Sequence, residues 1–307
     1  MPKKLIFHLG YHKTGSSSIQ DWLLEHRDKL ADHLYCYNLA DGSSNPLKLA
    51  VHGYVMGKTD TSPIRAECRR MRAQIATLPQ KVVCYSDEGL LGPPLGFRHG
   101  DFLERRLYPK AREIVAILAR EFADFSPVFF AIERAPGAWL RSIYNQMARQ
   151  ECFTGTLEDF QREFGNPACW HRLREEIRQG IAGQGEFISA SFETEIASKT
   201  IREMTLFRIL EIPSHILADC RQTLRHVNRS VPLGAGRRPV ITDRKISGTD
   251  TPLPPGVIAL AYMLLLGRHA SAAEIEHYQR RIADIPTLRH VLLNSPEFRT
   301  LWKRDYD

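Results

Sequence analysis

Eight consecutive residues concentrate a lysine, two glycines and three hydroxyl side chains: Gly10-Tyr11-His12-Lys13-Thr14-Gly15-Ser16-Ser17. Residues of these types in this order suit the binding of an anion. Glycines let the backbone turn with its N–H groups outward, lysine adds a full positive charge, and a following helix adds the positive end of its dipole. The flanking sequence supplies the elements such a loop needs. Leu5-Ile6-Phe7-His8-Leu9 is an apolar run of strand length, and Ile19, Trp22, Leu23 and Leu30 recur at helical spacing through about His33. Residues 16–18 are serines, good N-cap types, and are expected to open that helix.

A nucleotide triphosphatase loop reads G-x-x-x-x-G-K-[ST], with lysine after the second glycine. Here Gly10 and Gly15 keep the separation, but Lys13 precedes the second glycine and Ser16 stands in the lysine's place. A different anion loop is therefore expected. Two further chemical clusters follow strand-like runs. Lys81-Val82-Val83-Cys84-Tyr85-Ser86 leads into Asp87-Glu88, and Val128-Phe129-Phe130-Ala131-Ile132-Glu133 leads into Arg134. Carboxylates and guanidinium groups at the carboxyl ends of buried strands lie where open α/β sheets build their sites. Glu88 can act as a base or cap a helix; Asp87 offers a second carboxylate or a magnesium ligand. Ser142 lies eight residues beyond Arg134, followed by Tyr144-Asn145-Gln146.

Together these residues resemble the sulfotransferases that use 3′-phosphoadenosine 5′-phosphosulfate (PAPS), above all bacterial, carbohydrate-type members. The family's 5′-phosphosulfate loop, G-x-x-K-[TS]-[GA]-[TS]-[TS], is matched by residues 10–17, with His12 where many members carry proline. A second signature, a strand ending in arginine, a proline turn and a serine eight residues on, is matched by Arg134, Pro136 and Ser142, with Ala135 replacing the usual aspartate. The resemblance implies a P-loop-like α/β fold, a parallel sheet flanked by helices, over residues 1–232. It implies that His12, Lys13, Thr14, Gly15, Ser16 and Ser17 hold the 5′ side of the nucleotide, and Arg134 with Ser142 its 3′-phosphate. It assigns catalysis to Lys13 and to Glu88 as base, with a carbohydrate hydroxyl or an amine as acceptor and no metal. Asn228-Arg229-Ser230 resembles an element that follows the last core helix in bacterial members, which brings Arg229, and less directly Arg237 and Arg238, toward the nucleotide. Two other readings stay open: a magnesium-dependent P-loop kinase or triphosphatase using Asp87, and a catalytically silent nucleotide-binding module.

The rest of the chain is read more coarsely. Strands are expected at the four sites 5–9, 81–86, 128–133 and 186–191. Helices are expected over 62–78, 101–124 with a break near Pro109, 138–147, 156–164, 170–181, 199–210 and 214–225. Residues 41–60 resist assignment: they read as an irregular connection with a solvated His52, or as a segment lining an acceptor pocket. Arg65, Arg69, Arg70 and Arg72 read as a solvated helix face. Residues 233–256, rich in Gly, Pro, Thr, Asp and Arg, read as a linker. Residues 257–307 then form a small helical domain, with Ser271 and Glu274 at capping-box spacing. Ala261-Tyr262-Met263-Leu264-Leu265-Leu266-Gly267-Arg268, Tyr278 and Leu292-Leu293-Asn294-Ser295-Pro296-Glu297-Phe298 are similar to a helical domain of unknown function. That domain is appended to bacterial glycan-active and surface-associated proteins. About fifty residues support little core, so this unit is expected to dock on the main domain or a partner.

Composition sets outer bounds. A 307-residue chain that is 43% hydrophobic can bury a sizeable core, and a formal net charge of +7 attracts polyanions. No zinc-finger spacing, RNP-type aromatic run or basic arm points to nucleic acid. No apolar run reaches the roughly 18–20 residues of a membrane span, and the first residues lack a signal-peptide pattern. Six cysteines without a C-x-x-C pair read as reduced thiols in a cytoplasmic protein.

Overall fold

The computed structural model describes residues 3–38, 42, 45–150, 152–165, 169–198, 200–224, 253–266, 268–280 and 282, with single positions at 288, 291, 292, 295 and 297. The chain divides into two compact units, residues 1–237 and 238–307. Asn228-Arg229-Ser230, Arg237 and Arg238 lie outside the described residues, as does most of the expected linker.

The first unit is built on five parallel strands: β1 (Lys4–His8), β2 (Leu34–Asn38), β3 (Val82–Ser86), β6 (Val128–Glu133) and β7 (Glu186–Ser191). Their order across the sheet is β2-β3-β1-β6-β7. A two-residue hairpin, β4 (Arg98–His99) with β5 (Phe102–Leu103), stands apart. The chain fills one side of β1 first and the other side later, so the strand order reverses at β1. A crevice opens at such a reversal, outside the carboxyl ends of the strands. Register aligns the ends of β1 and β3, His8 opposite Ser86, while β6, paired to His8 at Phe130, runs on to Glu133.

Helices cover both faces, which is why the central strands are apolar at nearly every position. Alternation along a strand sends Leu5, Phe7, Val83, Tyr85, Phe129 and Ala131 to one core. That core is shared with α3 (Asn45–Val55), α4 (Ser62–Thr77), α5 (Ala111–Glu121), α6 (Pro136–Arg149), α7 (Leu157–Phe164) and α8 (Trp170–Ile181). Ile6, Cys84, Phe130 and Ile132 face the other core, with Trp22 of α1 (Ser16–Glu25), Leu30 of α2 (Arg27–Leu30), Phe207 of α10 (Thr205–Ile209) and Leu217 of α11 (Ser214–Ala218). The short α9 (Phe192–Ala197) follows β7 directly.

Several expectations are corrected. The first helix ends at Glu25; His26 breaks it, with Nδ1 against the Trp22 carbonyl and Nε2 accepting the Arg221 N–H. Residues 34–38, which carried no assignment, form a fifth strand. Residues 45–55 are a helix, with Pro46 in its first turn and Leu47 and Val51 buried four residues apart. The expected helix over 101–124 shortens to α5 and one turn at Ala123–Phe125, and residues 201–218 hold only short turns of helix. Arg65 and Arg70 are ion-paired, with Glu121 and Glu67, and Arg72 pairs with Asp124.

In the second unit, α12 (Pro255–Leu266) and α13 (Ala272–Gln279) close a small core of Leu253, Ile258, Tyr262, Ile282, Leu288 and Leu292. Ser271 and Glu274 form the expected capping box. Arg268 bridges Glu274, at 2.7 Å, and Glu297, at 2.5 Å, and lies 5.0 Å from the Tyr262 ring. The G-R…S-P-E-F residues within the described set thus have structural work inside this unit. No helix among the described residues is long and apolar enough to cross a membrane.

Candidate active site

The loop leaving β1 approaches β3 more closely than most side chains allow. Gly10 has φ +28°, and a Cβ there would lie 2.6 Å from the Asp87 carbonyl oxygen. Only glycine fits that approach without displacing backbone. Lys13 is left-handed at φ 66°, and Gly15 at φ 87° forms the N-cap of α1 with no side-chain cap bond. The serine caps expected from the sequence are therefore absent. Ser16, Ser17 and Ser18 already lie within the first turn; the Ser18 N–H bonds the Gly15 carbonyl at 3.1 Å, and residues 16 and 17 hold the open N-terminal end of the helix.

Lys13 joins the other two clusters through its own peptide. Its N–H donates to Glu88 Oε1 at 3.2 Å, and its carbonyl accepts from Arg134 Nη1 at 3.2 Å. The loop is fixed by two tryptophans as well. Trp139 Nε1 donates to the His12 carbonyl at 2.8 Å, and Trp170 Nε1 to the Arg134 carbonyl at 2.7 Å. Beneath it, His8 hydrogen-bonds Ser86 Oγ at 2.8 Å, Gln20 donates to the Ser86 carbonyl at 3.1 Å, and Asn38 donates to the Gln20 carbonyl at 2.6 Å. This buried relay ties α1 to the ends of β1, β3 and β2.

A cleft of about 700 Å³ opens over these strand ends. Lys13, Thr14, Gly15, Ser17, Glu88, Arg134 and Ser142 all line it, together with Gln146 of α6. An apolar wall continues through Ile19, Ile132, Phe192, Ile201, Met204 and Leu224. Two of the sequence-nominated residues are placed differently. The His12 ring is buried against Tyr108, whose hydroxyl accepts the His12 N–H at 2.7 Å and donates to Nδ1 at 2.9 Å. Ser16 is fully buried behind the lining. The Thr14 hydroxyl and N–H are both spent on the Tyr11 carbonyl, at 2.7 and 3.3 Å.

Burial sets the electrostatics. It pushes the Glu88 carboxyl above its usual range, against the Lys13 N–H and the charges of Lys13 and Lys48. Burial also lowers Lys13 and Arg134 from their ordinary values. His12 is held neutral, pushed down to about 3 by burial and by the charges of Lys48 and Lys13. Arg134 lies 4.7 Å from the Phe192 ring. Its Nε, together with the Ser142 and Ser16 hydroxyls, is buried with no hydrogen-bond partner among the described residues. Buried donors of this kind cost free energy unless a ligand acceptor meets them.

Four contributors were not given these roles from the sequence. Tyr108 reaches the loop from 96 positions away. Glu193 Oε1 accepts the Ala135 N–H at 2.9 Å, a carboxylate at the turn where the family aspartate is missing. Lys48 and His52 come from α3. Their only sequence signal was Asn45-Pro46 followed by Leu47, Val51 and Tyr54 at helical spacing.

The arrangement defines a P-loop-like α/β protein with an anion loop at its strand-order reversal. No family model matches the chain, and no curated protein matches it. Among solved structures it is similar to a sulfotransferase from Alicyclobacillus acidocaldarius, with 14% identity, 94% of this chain and 100% of that chain covered, and a TM-score of 0.37. Among the described residues, no group of three or more His, Cys, Asp or Glu side chains is placed to hold a metal ion.

Proposed function

We propose that the chain is a sulfotransferase that moves a sulfuryl group from PAPS to an acceptor hydroxyl or amine, with carbohydrate as the acceptor class. The observation that carries this reading is the Lys13 peptide, bonded on one side to Glu88 and on the other to Arg134. A proton acceptor and a second anion binder are thereby set on either side of one anion loop.

The residues fit the nucleotide. Arg134 and Ser142 each keep a buried, unpartnered donor on the cleft side of α6 and β6, suited to the 3′-phosphate. First-turn N–H groups of residues 15–17, with Lys13, suit the 5′-phosphosulfate. The apolar wall of Ile19, Ile132, Phe192 and Leu224 gives a purine surface to bury against. PAPS supplies an activated sulfuryl group on a good leaving phosphate. Glu88, made more basic by burial, takes the acceptor proton as the acceptor oxygen bonds to sulfur. Lys13 neutralises the charge that grows on the departing phosphate oxygen. The carbohydrate class follows from the position of Glu88 and from the pattern of the C-terminal unit.

A magnesium-dependent kinase would need Asp87 at a metal. That carboxylate is fully buried, accepts the Gly89 N–H at 2.8 Å and lies 3.8 Å from Lys48 Nζ, which favours a structural duty. Calorimetry compares adenosine 3′,5′-bisphosphate with ATP plus Mg²⁺. Tighter binding of the bisphosphate is expected; tighter binding of ATP would overturn the reading.

A further inference from the structure

The turn that presents Glu88 is gripped by a helix that the sulfotransferase reading does not use. Lys48 and His52 lie four residues apart on α3, hence on one face. Both press on Gly89: a Cβ there would sit 2.5 Å from Lys48 Cε and 2.8 Å from His52 Nε2. His52 Nε2 lies 3.2 Å from the Gly89 carbonyl, a contact that a neutral imidazole makes as donor. Burial, then the Lys48 charge, lower its pKa to about 4. Lys48 Nζ in turn lies 3.8 Å from Oδ1 of the fully buried Asp87, and the same oxygen accepts the Gly89 N–H.

The groups facing Glu88 come from three elements. The β1 loop offers Lys13, by its N–H and its charge, and the neutral His12 bonded to Tyr108. The turn itself holds Asp87. From α3 come Lys48 and the neutral His52. Two of these act on Glu88 as cations, Lys13 and Lys48. Lys13 also borders the cleft, where it meets the anionic ligand. Lys48 is instead anchored by Asp87 and is absent from the cleft lining.

We propose that Lys48 is a positioning residue for Glu88: anchored 3.8 Å from the buried Asp87 and packed on Gly89, it holds in place the turn on which Glu88 stands. This rests on the reading of Glu88 as the base, but its effect can be read on the carboxylate directly. The full-length protein is labelled with ¹³C at glutamate carboxyls, and the Glu88 resonance is identified by its loss in Glu88→Gln. In Lys48→Gln the Glu88 midpoint is expected to rise by about half to one pH unit, the direction that loss of a nearby opposite charge requires. Lys48→Arg should return it close to wild type. In turnover assays the acid limb of kcat/KM should move with it.

An unmoved Glu88 midpoint in Lys48→Gln would overturn the proposal, whatever happens to stability. Should Lys48→Gln not fold, Lys48→Met serves in its place. Failure of both neutral variants to fold, with Lys48→Arg intact, would equally overturn it in favour of a purely structural role. Failure to bind adenosine 3′,5′-bisphosphate would sink the sulfotransferase reading instead, and leave the titration as judge of Lys48.

Discussion

The two sides of the cleft are built on opposite plans. On the Arg134 side, donors are left unspent: Arg134 Nε and the Ser142 hydroxyl are buried with no partner among the described residues. On the Glu88 side, polar groups are bonded to one another. Asp87 meets Gly89 and Lys48, His52 meets Gly89, and His12 meets Tyr108. Buried polar groups cost little once satisfied and a good deal when they are not. The first side is therefore built to gain from an anion, the second to hold one carboxylate in a fixed environment. Lys13 belongs to both.

The comparison can be broken by changing each side in turn. The largest effect is expected at Glu88. Glu88→Gln should lower sulfuryl transfer by about 10²–10⁴-fold, the usual contribution of a positioned base. Affinity for adenosine 3′,5′-bisphosphate should stay close to wild type, as measured by calorimetry, because the closed side does not hold the nucleotide. A parallel loss of affinity would show that the two sides are not separate.

Arg134→Ala comes next. It should weaken the bisphosphate by about 10- to 100-fold, since hydrogen bonds to charged groups contribute roughly 1.5–3 kcal/mol. Adenosine 5′-phosphate, which lacks the 3′ group, should lose much less. Equal losses for both nucleotides would remove Arg134 from the 3′-phosphate assignment.

The smallest effect concerns stability on the closed side. His52 is lowered to about 4, so the folded protein keeps it neutral while the unfolded chain takes up a proton near pH 6.5. Stability from this group is present above pH 6.5 and is lost as pH falls from there to about 4. The loss approaches about 1.4 kcal/mol per pH unit for one proton. Glutamine can still donate to the Gly89 carbonyl but does not titrate. Denaturant unfolding of His52→Gln should therefore show a shallower decline over that window. Equal slopes would mean that His52 is protonated in the folded state.

What the sequence revealed and what it hid divide along the same line. The anion loop, the strand ends at residues 86 and 133, Arg134 and Ser142 all follow local rules: an apolar run, a glycine turn, a polar residue at the strand's carboxyl end. The closed side depends on pairings that no local rule carries. Tyr108 serves His12 across 96 positions, and Glu193 serves Ala135 across 58. Strand β2 was hidden because it follows the helix after only a short turn, and its five residues sit at the sheet edge without a strong alternation. Helix α3 was hidden by the turn-rich residues before it and by Gly53 within it. Ser16 misled because serine at a helix start usually caps, whereas here Gly15 takes the left-handed cap and moves the serines inward.

The indole rings that fasten the loop have a practical use. The chain contains four tryptophans, and three of them donate to backbone carbonyls at or near the cleft: Trp139 to His12, Trp170 to Arg134 and Trp22 to Arg221. Indole emission responds to the electric field around the ring, so an anion arriving between Lys13 and Arg134 changes the light two of these rings emit. On the proposed reading the protein would carry its own optical reporter of occupancy, and a titration with adenosine 3′,5′-bisphosphate can be followed in dilute solution without attaching a dye.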